Sequence, residues 1–478
     1  MLFNSLEFLI FLPIVFFLYW FCFKSLRLQN LLIVIVSYIF YGWWDWRFLL
    51  LIALTSAYSY LSGLWIERAE GNRKLQKSIS ASSIILNLCI LCLFKYFNFF
   101  RENIISLFSY FDIHLDWPVL NVLLPVGISF YTFQALSYTI DVYQKKIKPT
   151  RDIVSFFAYI SFFPQLVAGP IERATNLLPQ ILHQRKFNYA SAVDGVQQML
   201  WGFFKKLVIA DNCSVIVNEI FSNYETMGSW QLICGGIFFS FQIYGDFSGY
   251  SDIAIGTSRL FGINLMRNFH FPYQSRDIAE FWRRWHISLN TWFRDYIYIP
   301  LGGSRCSLLK NIRNVAIIFL VSGFWHGANW TFIVWGGIHA MLFIPLLIAG
   351  KNRKHCDIPE LRGFYTSAKE ALQIFSTFCI VMLTWIIFRS ENISQAYAYI
   401  LRIFQFKPSI SELPNKSVEV AFYILFLWIV EWIQRKKEYG LQIQTIKSKS
   451  LRIAIYTFLL LFIQMTMGES NTFIYFQF

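Results

Sequence analysis

Phe319-Leu320-Val321-Ser322-Gly323-Phe324-Trp325-His326-Gly327-Ala328-Asn329-Trp330-Thr331-Phe332-Ile333-Val334-Trp335 forms the middle of an otherwise apolar tract that runs from residue 314 to residue 349. The tract predicts a helical hairpin bent at Trp325-His326-Gly327-Ala328-Asn329. Similar apolar runs, long enough to cross about 30 Å of hydrocarbon, recur along the chain. The 478 residues are 56% hydrophobic, 19% aromatic and only 15% charged. Soluble domains carry about a quarter charged residues, so the charge here is too thin to cover a soluble surface of this size.

Outward from the hairpin, spans are expected near 6–23, 30–44, 47–66, 79–97, 118–143, 229–247, 371–388, 418–433 and 453–467. With the two arms of the hairpin this gives about eleven crossings. Residues 153–169 are interrupted by Phe163-Pro164 and Gly169-Pro170, and residues 196–221 hold Lys205, Lys206 and Asp211 in an apolar pattern. Broken segments of this kind survive at membrane depth only when shielded by protein or lining an aqueous cavity, so re-entrant or tilted helices are expected there. The fold class is an all-α polytopic membrane protein, one integral membrane domain over residues 1–478, with amphipathic helices at the cytoplasmic face.

The net charge of +14 sits in short loops. Loops 24–29, 67–78 and 144–151 are basic, whereas 98–117 is mildly acidic. That alternation is the positive-inside pattern and places the basic loops in the cytoplasm, together with the basic stretches 264–313, 350–370 and 434–452. No Lys or Arg precedes the first apolar run, which predicts a retained first span with its N-terminus outside. No basic, aromatic-interleaved patch suggests nucleic acid. Cys89 and Cys92 form C-x-x-C inside an apolar run with no second ligand pair, which argues against a metal or redox centre. No internal repeat or low-complexity tract is present.

Three segments could carry chemistry. Asp246-Phe247-Ser248-Gly249-Tyr250-Ser251-Asp252 puts Asp246, Asp252, Ser248 and Tyr250 at the expected end of an apolar span. Such groups line a pathway or cap a helix end, and residue types alone divide evenly between the two. On a helix of 3.6 residues per turn, the stretch from Glu280 to Asp295 places Phe281, Trp285, Leu289 and Trp292 on one face and Arg283, His286, Asn290 and Arg294 on the other. Composition favours interfacial anchoring by the tryptophans. The alternative is a polar stripe facing an anionic donor such as coenzyme A. The bend of the hairpin presents His326, whose imidazole exchanges a proton near neutral pH and could serve as a general base or simply bond a neighbouring carbonyl. His339, in Gly336-Gly337-Ile338-His339-Ala340, has fewer polar neighbours and a weaker case.

Together these segments resemble the membrane-bound O-acyltransferase family, and within it the membrane subunit of alginate O-acetylation. Further agreement lies in Phe8-Leu9-Ile10-Phe11-Leu12-Pro13, in Leu124-Pro125-Val126-Gly127-Ile128-Ser129-Phe130-Tyr131, in Ala168-Gly169-Pro170, and in Trp385-Ile386-Ile387-Phe388-Arg389. The resemblance runs to about residue 400, with its core over about 120–400. It implies a cytoplasmic acyl thioester donor, acetyl-CoA or another, with no bound cofactor. It also implies a multi-pass place in a bacterial inner membrane, and an extracytoplasmic acyltransferase partner that passes the acyl group to a polysaccharide. The catalytic histidine of the family matches His326, and the histidine placed along the donor tunnel matches His286. No serine or cysteine nucleophile stands beside His326 in sequence, which favours direct transfer over an acyl-enzyme.

Two other readings stay open. The same fold could transfer D-alanine to teichoic acid or acetate to peptidoglycan. Broken helices and intramembrane polar groups would also suit a transporter or polymer-export component, although no pair of similar halves is evident. The topology is testable apart from function: a cysteine placed in 67–78 or 144–151 should resist an impermeant thiol reagent in intact cells, and one in 98–117 should react. Labelling within 67–78 would overturn the orientation.

Overall fold

The computed structural model describes residues 1–120, 123–358, 364–407, 413–468 and 473–474. Residues 121–122 of the span expected at 118–143, and residues 359–363 of the basic stretch 350–370, lie outside them. Every regular element among the described residues is helical. Among the described residues six helices are long and apolar enough to cross a membrane: Phe48–Arg68, Arg73–Ser109, Leu308–His326, Trp330–Ile348, Ser367–Arg389 and Lys449–Thr466. Leu6–Cys22 and Leu26–Gly42 are shorter apolar helices. The other expected spans are short, like Ile128–Tyr143 at 16 residues, or carry ionisable groups, like Ser229–Leu260 with Asp246 and Asp252. Residues 98–117, expected as a loop, begin with a helical extension, Phe97–Ser109.

The chain divides into two compact units. The first comprises Met1–Gly195 and Ala254–Met266. Here Ile128–Tyr143 is buried along nearly its whole length. Small polar groups knit its neighbours together. Ser83 meets Thr139 at 3.2 Å, and Asn30 donates to Ser155 at 2.9 Å and to the Ile181 carbonyl at 3.0 Å. The segment expected to be broken is broken, into Ile153–Ser161 and Phe163–Leu166. Its backbone is satisfied by side chains: Gln134 and Gln165 both donate to the Tyr159 carbonyl, at 2.7 and 3.1 Å, and Ser37 accepts from the Phe163 N–H at 3.1 Å. This is how non-helical backbone is tolerated away from water. Two basic loops converge at one end of the unit, where Lys145 pairs with Glu70 at 3.0 Å and Arg151 with Glu67 at 3.4 Å. That convergence matches their assignment to one side of the membrane.

The second unit comprises Val196–Ile253 and Arg267–Phe478. The expected hairpin is present as Leu308–His326 and Trp330–Ile348. Asn329 starts its second arm by accepting the Thr331 N–H at 3.0 Å. The arms touch backbone to backbone at Gly323 and Gly336: a Cβ on either would run into the carbonyl of Phe332 or Phe319, respectively. Small residues let helices in lipid approach this closely and gain dispersion contacts. A Gly336→Val side chain has no flexible neighbour to push aside, so a cost of about 1–3 kcal/mol is expected. Thermal unfolding in detergent should show an apparent Tm lowered by several degrees; an unchanged Tm would mean that the arms separate freely.

Candidate active site

The stretch from Glu280 to Asp295, expected as one amphipathic helix, is instead two seven-residue helices, Ile278–Arg284 and Ile287–Phe293. Between them His286 adopts φ 45° and ψ 53°, a left-handed conformation rare outside glycine. The break is held from outside the helices. The Ile287 N–H donates to the Asn268 carbonyl at 2.8 Å. Asn290 gives both amide protons to helix-end carbonyls, those of Trp282 at 2.7 Å and Trp285 at 2.6 Å.

The break dismantles the expected polar stripe. Arg283 is exposed and donates to the carbonyls of Asn352 and His355, each at 2.7 Å. Arg294 is also exposed and pairs with Asp295 at 2.7 Å. Asn290 is committed to the break. Of the four, only His286 enters the core, where it is 1% exposed. The single-helix reading failed because it ignored main-chain carbonyls that compete for these donors.

The His286 ring is walled by Phe247 at 4.6 Å, Phe269 at 6.4 Å and Trp325 at 6.0 Å between ring centroids. Burial alone pulls its pKa down to about 3, so the ring is neutral. Its Nδ1 lies 2.9 Å from Asn268 Oδ1. His326 is the last residue of Leu308–His326 and is 4% exposed. Its ring lies 5.0 Å from Trp325, 5.3 Å from Trp335 and 5.3 Å from Phe388. Two histidines forty residues apart in sequence therefore meet the same indole, that of Trp325. Among the described residues no group of three His, Cys, Asp or Glu side chains could hold a metal ion.

The sequence pattern of the MBOAT, membrane-bound O-acyltransferase family matches residues 38–388, a range that contains both histidines and both arms of the hairpin. The chain belongs to this family. Among its relatives is the probable alginate O-acetylase of Pseudomonas aeruginosa, 36% identical over 93% of this chain and 84% of the relative. The protein of the same name from Azotobacter vinelandii is 38% identical over 85% and 78%. The peptidoglycan O-acetyltransferase of Helicobacter pylori is 33% identical over 78% and 73%. The chain is thus a membrane-bound O-acyltransferase, a multi-pass enzyme of the membrane.

In this acyltransferase the carboxylates from Asp246 to Asp252 do not end a helix. Ser229–Leu260 continues past them, so the helix-cap reading is corrected. Asp246 pairs with Lys206 at 2.8 Å, and Asp252 with Lys205 at 2.5 Å. Lys206 also reaches Asp211 at 2.8 Å. Gln198 donates to the free oxygen of Asp252 at 2.7 Å, and the Ile474 N–H donates to Asp246 at 2.6 Å. These are opposite charges neutralised within a buried network. Ser248 is buried beside them, and Tyr250 packs on Phe473 at 5.0 Å.

His339 belongs to a neighbouring cluster and is fully committed. Its Nδ1 accepts from Trp282 Nε1–H at 3.2 Å. Its Nε2 lies 3.1 Å from Thr384 Oγ1, whose own proton goes to the Val381 carbonyl at 2.7 Å. Nε2 must therefore be the protonated nitrogen. Local pattern carries no signal for Asn268 or Thr384, which stand 18 and 45 residues from the rings they hold. His339→Ala removes a buried ring and strands the Trp282 N–H, at a cost of about 2–5 kcal/mol. Thermal unfolding should reveal that loss, while the folded fraction keeps part of its acyl-transfer activity. Complete inactivity of a fully stable variant would give His339 a chemical role.

Proposed function

We propose that this acyltransferase carries an acetyl group from a cytoplasmic acyl thioester, acetyl-CoA by preference, across the cell inner membrane for O-acetylation of an extracytoplasmic polysaccharide of the alginate kind. An extracytoplasmic acyltransferase partner completes delivery to the polymer. The observation that carries the reading is the pair His286 and His326 on one indole, sealed among aromatic rings, in a chain of this family. The choice of acetyl is supported by relatives named for alginate and peptidoglycan O-acetylation that align with most of the chain.

In the proposed reaction His326 takes the proton of an acceptor hydroxyl as its oxygen attacks the thioester carbonyl carbon. The C–O bond forms, the C–S bond breaks, and the departing thiolate receives a proton to leave as the free thiol. A neutral imidazole is needed at the start. The rings around His326 keep water, the competing acceptor, away from the acyl carbon. His286 contributes a second imidazole against the same Trp325 indole, and in this proposal it lines the path of the donor or the acceptor.

A positioned base contributes about 10²–10⁴-fold. His326→Gln keeps the size of the side chain and one hydrogen-bonding group but cannot shuttle the proton. At equal protein level in the membrane it should reduce the acetyl content of the exported polysaccharide to background, with normal expression and insertion. Acetylation near the wild-type level would move the base elsewhere.

A further inference from the structure

Asn268 lies outside every segment singled out for chemistry, yet its side chain bonds His286 and two serines. It is fully buried. Its Nδ2 donates to Ser251 Oγ at 3.2 Å, and its Oδ1 accepts the Ser288 main-chain N–H at 3.4 Å; a main-chain N–H can only donate, so it fixes the amide orientation and leaves Oδ1 as a pure acceptor. Onto that oxygen converge the Ser288 hydroxyl at 2.9 Å and His286 Nδ1 at 2.9 Å. The Asn268 main chain adds a third hold through the Ile287 N–H at 2.8 Å. An oxygen that only accepts requires a proton on Nδ1. A neutral imidazole carries a single ring proton, so the lone pair is on Nε2. That Nε2 is buried and meets no hydrogen-bonding atom among the described residues. A buried polar atom with no partner in the protein is uncommon and calls for an explanation, such as a bound group.

We propose that Asn268 is a positioning residue of the acyl-transfer site. Its amide oxygen holds the Nδ1–H of His286, and so selects the tautomer whose Nε2 lone pair is presented to an O–H or N–H of the substrate. The inference deepens the function proposed above and rests on His286 belonging to that site. The left-handed backbone at His286 serves the same end: it turns the ring out of the line of the two helices toward Asn268, and the Ile287 N–H bond to Asn268 keeps it there. The elements packed on the ring offer Phe247 and Ser251 from Ser229–Leu260, Phe269 beside Asn268, Ser288 from the following helix, and Trp325. None of these is ionised. Asp246 and Asp252 of the long helix are engaged by Lys206 and Lys205, and the titratable neighbour is His326 across Trp325. The tautomer is therefore set by the amide and not by a nearby charge.

Two measurements on the full-length protein in lipid vesicles decide the matter. In the first, the chain is labelled with ¹⁵N-histidine and its solid-state spectrum is compared with that of His286→Gln to isolate the His286 signals. The expected result is a protonated Nδ1 and a bare Nε2 in wild type, and a mixture of tautomers in Asn268→Ala. This readout does not depend on acyl transfer, so it stands even if the proposed function fails. In the second, thiol release from acetyl-CoA, with an alginate oligosaccharide supplied as the hydroxyl acceptor, is followed for Asn268→Ala, His286→Ala and the double variant. Asn268→Ala should lower kcat roughly ten- to a hundredfold with little change in KM. The double variant should match His286→Ala within about twofold, because Asn268 acts through the ring. Asn268→Asp offers a pH signature. A carboxylate on Nδ1–H stabilises the imidazolium and raises the His286 pKa. Activity should then fall on the acid side, where Nε2 gains a proton, and recover as pH rises; wild type should lack that limb. A single unchanged tautomer in Asn268→Ala, or losses that multiply in the double variant, would overturn the proposal. Absence of any His326-dependent thiol release would instead count against the acyl-transfer reading, with the tautomer assignment still decided by the spectrum.

Discussion

Side-chain amides bonded to main chain at helix breaks are the interaction on which the described architecture depends. A helix that stops in apolar surroundings leaves carbonyls and N–H groups without water, and each carries a penalty of a few kcal/mol unless a partner is supplied. Asn290 supplies both protons at the end of Ile278–Arg284. Gln134 and Gln165 do the same for the Tyr159 carbonyl, and Asn329 opens the second arm of the hairpin. With these bonds in place the chain can turn inside an apolar bundle, and the turns present histidines that a continuous helix would have directed elsewhere.

The buried charges obey the same accounting by other means. Lys205 and Lys206 would be costly alone, as would Asp246, Asp252 and Asp211. Paired, they tie Ser229–Leu260 to the wide helical turn Phe204–Ala210. Removal of one partner leaves an uncompensated charge, so these residues specify how the helices of this unit meet more than they add to its stability. The ion pairs also show why carboxylates inside a membrane protein are weak evidence of a substrate site until their partners are known.

The apolar runs carry most of the fold in the sequence itself. The apolar runs near 6–23, 47–66 and 371–388 appear within a few residues of Leu6–Cys22, Phe48–Arg68 and Ser367–Arg389, because the length of an apolar run is a local property. The bend at His326 was legible for the same reason. Local pattern fails where the deciding partner is distant. Asp246 and Asp252 looked like a helix end because the lysines that neutralise them stand some forty residues earlier. The stretch from Glu280 to Asp295 looked like one helix because its periodicity is sound, and nothing within it announces that Asn268 and the carbonyls of Asn352 and His355 will claim its polar atoms. The meeting of His286 and His326 at Trp325 is likewise invisible to spacing, and only the family resemblance put the two residues together.

Five rings pack on His286 and His326: Phe247, Phe269, Trp325, Trp335 and Phe388. A ring has two rotatable bonds and, once packed against other rings, little rotational freedom left to lose. A group bound against these rings has few side chains to immobilise, and the ordering entropy that flexible neighbours would charge against binding has largely been met during folding. Short acyl groups, which bring little surface of their own, would gain most from neighbours already held in shape.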